Sequence, residues 1–336
     1  MMEIVLNSLA FVAAALCAAV MGIAIQRGGT CTVAAVEEII DQHRFKRLSA
    51  MAEASLWVAG GLVLAQSLNL LGKTPAGYAV TQWTVFGGAL LGLGAYVNGG
   101  CVFGTIARFG SGEWAYVATP IGFYVGCASV GLVFMPPVTL RLSDVSPVLQ
   151  ASLWLGPLFL VFVLWRLVRP LMGVRTVAAV RAVAARAWSP HAATSVIGIA
   201  FFFMIPLVGN WAYTEVLADL ASGMSASLAA KIVLLLALFL GALLGGWRTR
   251  DFRSTHTTAT QLLRCFIGGA LMGWGSLLIP GANDGLILVG MPLLWPYAWL
   301  AFFTMCVTIG AAMGATMLAK KAVLARVQRH KKSSFQ

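Results

Sequence analysis

Six long apolar runs dominate the chain: Ile4 to Ile25, Ala50 to Leu71, Ala151 to Leu167, Ala192 to Val208, Leu228 to Trp247 and Ala298 to Leu318. Each approaches the roughly 20 residues that an α-helix needs to cross the hydrocarbon core of a bilayer. Hydrocarbon cannot satisfy an unpaired backbone group, so such runs fold as transmembrane helices. Composition agrees, since 60% of the 336 residues are hydrophobic and 10% are charged, where a soluble domain carries roughly 25% charged residues. The first run does not read as a signal peptide, because Met1 to Val5 carries Glu3 and no basic segment.

The formal net charge of +12 does not point to nucleic acid, because the basic residues sit in the gaps between apolar runs. His43, Arg44, Lys46 and Arg47 follow the first span; Arg166, Arg169, Arg175, Arg181 and Arg186 fill the mid-chain gap; Arg248, Arg250 and Arg253 precede Gly268; Lys320, Lys321, Arg326, Arg329, Lys331 and Lys332 form the tail. The positive-inside rule puts all these clusters in the cytoplasm and the Lys/Arg-poor stretches Leu71 to Gln82, Pro136 to Gln150 and Asn210 to Ser225 outside. The expectation is an N-terminus outside, a C-terminus inside and an odd number of spans, about nine. The domains expected are a first transmembrane half over 1–168, a basic cytoplasmic linker over 169–190 that could form an amphipathic surface helix, a second half over 191–319 and a basic tail over 320–336.

A repeat gives these halves a relationship. "GGALLGLGAYVNGGCVFG", Gly87 to Gly104, reappears 181 positions later as "GGALMGWGSLLIPGANDG", Gly268 to Gly285. On the charge rule the first copy runs inward and the second outward. Inverted repeats with glycine-broken helices are a common construction of secondary transporters, with the substrate site where the broken ends meet. The loops after "NGG" and "IPG" are therefore expected to approach each other. The fold class expected is an all-α polytopic membrane protein with short broken or re-entrant helices in two inverted pseudo-symmetric halves. A shorter core recurs at Ala18 to Gly22, Gly88 to Gly92, Gly241 to Gly245 and Gly269 to Gly273; this small-xxx-small spacing also serves as a plain helix-packing seam.

Six cysteines, at 17, 31, 101, 127, 265 and 306, show no CxxC pair and no spacing suited to zinc. Cys17, Cys127, Cys265 and Cys306 lie inside apolar runs and read as small hydrophobes. Cys31 and Cys101 each close a polar glycine turn, "QRGGTC" and "VNGGC", and a shift of 70 positions superposes one on the other. Irregular backbone at membrane depth is tolerated only where protein buries it or a cavity runs beside it. The amides of Gly28, Gly29, Gly99 and Gly100 are candidate donors to an oxyanion. Arg27 and Arg108 flank the two turns and either attract the anion or anchor at inner-leaflet phosphates. Glu37 and Glu38 read as a solvated face, and Glu113 as a helix-start charge.

These motifs, with the arginine-rich "GGWRTRDFR" before the second copy, resemble the YeeE/YedE family of sulfur-compound transporters over about Gly22 to Gly314. The resemblance implies an hourglass of two inverted halves whose short helices meet at a waist, and thiols that relay thiosulfate by S–H hydrogen bonds without chemical conversion. By motif position Cys31 and Cys101 match two of three path cysteines, with Asn98 in the turn before Cys101. At the third position this chain has Ala282, in "IPGANDG". Either two thiols suffice, or the Asn283 amide replaces the third donor, or the substrate is another sulfur species. Asp284 takes up a proton, pairs with Arg27 or Arg108, or caps its own loop.

The function expected is import of thiosulfate or a related small sulfur-containing anion into the cytoplasm across a bacterial inner membrane, without enzymatic conversion, cofactor or metal. Membrane lipids and a cytoplasmic sulfur-accepting protein are the further candidate partners, and nucleic acid is not one. No Walker A pattern is present, so any use of ATP requires a partner. The rival reading is a membrane-embedded thiol protein, a persulfide-accepting redox enzyme or a sulfur sensor.

Overall fold

A computed structural model describes residues 2–69, 75–133, 140–142, 146–173, 187–223, 228–249, 252 and 254–333. Apart from one isolated antiparallel bridge between Tyr78 and Arg141, the described residues form helices and their connections. In chain order these are α1 (Met2–Gly28), α2 (Thr32–Gln42), α3 (Lys46–Ser67), α4 (Gln82–Asn98), α5 (Val102–Gly110), a 3-10 turn (Trp114–Val117) and α6 (Ala118–Val133). There follow α7 (Pro147–Gln150), α8 (Ser152–Gly173), α9 (Pro190–Val208), α10 (Tyr213–Ala221), α11 (Leu228–Thr249), α12 (Ala259–Leu278), α13 (Asn283–Gly285), a π-turn (Leu286–Gly290) and α14 (Pro296–Ser333).

Among the described residues, seven helical stretches are long and apolar enough to cross a membrane, and the bent pair Ala259–Leu278 and Asn283–Gly290, 53° apart, makes eight if taken as one span. The sequence reading counted one more crossing at Ala151 to Leu167, which falls on α8 (Ser152–Gly173), with Trp154–Arg166 as its apolar stretch. The tail from Lys320 does not begin a separate segment, because α14 continues through Ser333. Residues 174–186 of the basic linker, and with them the surface helix expected there, lie outside the described residues.

The packing follows a reciprocal plan. α1 packs on α11 while α9 packs on α3, and α4 packs on α14 while α12 packs on α6; α1 also meets α9, and α4 meets α12. The recurring small-xxx-small cores are the seams of these contacts. A Cβ on Gly88 would stand 2.7 Å from the Ala301 carbonyl oxygen, one on Gly92 would stand 2.6 Å from that of Met305, and one on Gly269 would run into that of Thr119. Gly22 and Gly241 likewise lie against the carbonyls of Leu238 and Ala19. Such backbone contact replaces the hydrophobic drive that lipid does not supply between helices. Along α4 and α12 the neighbours run in opposite order, Gly87 against Leu278 and Gly94 against Met272 and Gly268, so the two copies of the repeat pack antiparallel.

Candidate functional site

Four helices stop at a glycine held in left-handed backbone: α1 at Gly29 (φ 55), α4 at Gly99 (φ 79), α9 at Gly209 (φ 81) and α12 before Gly281 (φ 108). A side chain in that backbone region is strained, which is what glycine avoids. Each time a short helix begins two to four residues later, with extended backbone at its N-cap: Cys31, Cys101, Ala212 and Ala282. Cys101 and Ala282 are close conformational copies, at φ −74, ψ −173 and φ −89, ψ −172.

The four short helices start at one place. The Val102 N–H donates to Asn283 Oδ1 at 3.3 Å, so the expected approach of the two loops is found. Asn283 Nδ2 donates to Thr32 Oγ1 at 3.4 Å, the Tyr213 hydroxyl donates to the Val102 carbonyl at 3.4 Å, and Thr32 N–H donates to Cys101 Sγ at 3.1 Å. Asp284 accepts from the Thr214 N–H at 3.3 Å and from Thr214 Oγ1. Cys101 and Asn283 are fully buried, and Asp284 is nearly so. The two cysteines meet there, since Thr32, which follows Cys31, donates to Cys101 Sγ, and Cys31 Sγ lies over Gly104, where a Cβ would be 2.5 Å away.

A cavity of about 620 Å³ leads to Cys31. Gly29, Gly99 and Gly104 form part of its wall, and Arg47, Arg108 and Arg264 face it with Glu37 as the acidic member. Arg47 Nη1 donates to the Gly29 carbonyl at 3.0 Å and Arg264 Nε to the Val97 carbonyl at 3.3 Å, so both guanidiniums are fixed to the ends of the broken helices. Arg108 pairs with Glu113 at 3.3 Å and lies 5.3 Å from the centre of the Tyr116 ring. Arg47 and Arg264, whose guanidiniums are held by backbone carbonyls, add positive charge beside Glu37 and the Arg108–Glu113 pair, which makes the approach to the thiols attractive to a small anion.

The sequence-predicted residues divide. Cys31, Gly29, Gly99 and Arg108 border the cavity, and Cys101, Asn283 and Asp284 stand in the helix junction behind it. Arg27 does neither: it closes α1 with its guanidinium 5.4 Å from the Trp188 ring, while its neighbour Gln26 borders the cavity. Asp284 turns to α10, so neither arginine is its partner and its cap is made across the fold.

The glycine amides also differ from expectation. Gly99 N–H donates to the Tyr96 carbonyl, Gly100 N–H to that of Ala95 at 3.0 Å, and Gly29 N–H to that of Gln26, which closes the preceding helices. The donors at the junction are the first amides of the next helices, Thr32, Val102 and Thr214. Asn98 holds the turn, donating to the Gly100 carbonyl at 2.6 Å and Thr105 Oγ1 at 3.0 Å while accepting from Thr119.

A family model described as sulphur transport matches residues 27–312. The chain belongs to this sulphur transport family. It is the YeeE/YedE family, one of transporters and not of enzymes. The thiosulfate transporter TsuA of Escherichia coli (strain K12) is similar to the chain, 26% identical over 329 residues that cover 88% of this chain and 92% of that protein.

The sequence reading missed α10 with Tyr213 and Thr214, and it did not single out Arg47, Arg264 or Thr32 as site residues. One signal was available for α10. Moving Cys31 by the 181 positions that separate Cys101 from Ala282 lands on Ala212, the N-cap of α10.

Proposed function

We propose that this sulphur transport family member imports thiosulfate, or a small anion with the same terminal sulfur, past Cys31 and Cys101. The observation that carries this reading is the pair of thiols, Cys31 at the inner end of an arginine-bordered cavity and Cys101 just behind it, where four short helices begin. Taking a divalent anion out of water is costly unless donors replace its hydration. Helix N-termini supply such donors, and each thiol adds an S–H aimed at sulfur or oxygen. A thiol donor is weak, so the anion is held and released without a covalent bond, and the sulfur leaves as it entered.

The reading extends to the architecture. Nine spans result when α8 is taken as a crossing beside the other eight. The reciprocal helix pairs support two halves, 1–168 and 191–319, related by a two-fold axis in the membrane plane. In this arrangement the basic clusters lie in the cytoplasm, the linker over 169–190 joins the halves there, and residues 320–336 end there. The cavity then faces the cytoplasm, and a sulfur-accepting protein on that side would collect the anion. Passage of the anion from outside through the occluded junction into the cavity requires the contacts among Val102, Asn283 and Tyr213 to part.

The test is uptake of labelled thiosulfate into proteoliposomes, with the sulfur recovered and identified. Unaltered thiosulfate inside supports transport. Label retained on Cys31 or Cys101 without accumulation inside would instead support the persulfide-accepting alternative.

A further inference from the structure

A second site lies away from the junction, on the membrane-facing side of α3 and α8. One cavity, of about 660 Å³, is walled almost wholly by apolar groups of α3, α8 and the segment around Met291 to Trp299. A neighbouring cavity, of about 510 Å³, is bordered by Glu53, Arg166, Ser189 and His191. The two share Ala52, Leu56, Phe162 and Trp165, so they form one groove with an apolar shaft and a polar end. On α3 the shaft runs from Ala52 to Val63. At 1.5 Å per residue that is about 17 Å, close to one leaflet of a hydrocarbon core roughly 30 Å thick.

The polar end is ordered for a headgroup. Glu53 accepts from Arg166 Nε at 2.7 Å, from Ser195 Oγ at 3.0 Å and from His191 Nδ1, so its carboxylate is satisfied by its neighbours. Arg166 and His191 are still about one-third exposed, at 28% and 35%, so both present N–H groups to a headgroup. Trp165, 53% exposed, stands beside them, and tryptophan is a residue that favours the membrane interface.

The apolar shaft has work to do for the waist. It passes along the irregular backbone that follows α13, where Leu294 adopts left-handed backbone at φ 55. Ser55 Oγ donates to the Ile287 carbonyl at 2.6 Å and Ser146 Oγ to that of Leu293 at 2.7 Å, which satisfies this segment from the protein side. Backbone of this kind has to be shielded at membrane depth. We infer that the groove between α3 and α8 binds one inner-leaflet anionic phospholipid, its phosphate at Arg166 and His191 and one acyl chain along the shaft against the segment behind α13. A purely apolar recess at Trp83, Phe86, Ala89 and Leu93 has no charged end and serves as the internal control.

The full chain, extracted in mild detergent and delipidated, is titrated with phosphatidylglycerol and read by native mass spectrometry. The wild type retains one phospholipid. Ala59→Trp, which fills the shaft, binds it about ten-fold or more weakly, since each buried methylene contributes to lipid affinity. Leu56→Trp, at a 44% exposed position bordering both cavities, does the same if Ala59→Trp does not elute as a monodisperse species. The paired change Glu53→Gln with Arg166→Gln removes the preference for phosphatidylglycerol over diacylglycerol without leaving a lone buried charge. Ala89→Trp leaves binding unchanged. Retention by both groove variants equal to wild type, loss in Ala89→Trp equal to theirs, or no lipid retained by the wild type would each overturn the assignment.

Discussion

Cys101 Sγ accepts the Thr32 N–H, so its own proton can be directed elsewhere, toward an anion at the junction. Cys101→Ala removes this donor and leaves one buried amide short of an acceptor, a cost of about 1–3 kcal/mol against a stability of roughly 5–15 kcal/mol. The expected outcome is normal membrane abundance with uptake reduced about ten-fold or more, because one hydrogen bond to a charged group is worth about 1.5–3 kcal/mol. Cys31→Ala should impair uptake equally or less. Cys127→Ala and Cys306→Ala, which change packing inside helices, should leave uptake near wild type. Immunoblotting of membranes beside a transport assay checks all four. At Asp284 the prediction concerns stability. Thr214→Val removes one of its two donors and should lower the apparent melting temperature in detergent by the equivalent of about 1–3 kcal/mol, while Thr214→Ser should restore it.

At the scale of elements, the glycines separate into those that hold helices together and those that do not. Gly269→Val would drive a side chain into the Thr119 carbonyl between α12 and α6 and should remove folded protein from the membrane. Gly131→Ala and Gly314→Ala meet nothing within 4 Å and should be neutral or slightly stabilising, as alanine is the better helix former. Ala282→Cys tests the broken helices themselves. Ala282 caps α13 with nearly the backbone of Cys101, and its neighbour Asn283 touches Val102. An added thiol there should be joined to Cys101 by a short bifunctional thiol reagent, and uptake per folded molecule should be kept or raised. Absence of any crosslink at every reagent length would contradict the shared junction.

Across the whole molecule, the sequence revealed what repeats and hid what tertiary contacts decide. Cys31 and Cys101 were legible because each closes a glycine turn and a shift of 70 positions relates them. α10 was not, because Asn210 to Ser225 reads as a Lys/Arg-poor external loop, and Tyr213 and Thr214 gain their roles only against Val102 and Asp284. The free glycine amides were misread because helix C-caps claim them first. Arg47 and Arg264 were visible as charges, but their hold on the Gly29 and Val97 carbonyls depends on packing between distant helices. The charge distribution makes one further prediction: a reporter after Gln336 is cytoplasmic and one at the N-terminus external. Both reporting from one side would remove the odd span count and with it the inverted halves. The most direct measurement of the central claim uses thiosulfate labelled on its terminal sulfur, proteoliposomes of wild type and Cys101→Ala at equal amounts of folded protein, and identification of the sulfur species inside. The account predicts intact labelled thiosulfate accumulating with the wild type and near-background accumulation with Cys101→Ala; equal accumulation by the two proteins would contradict it.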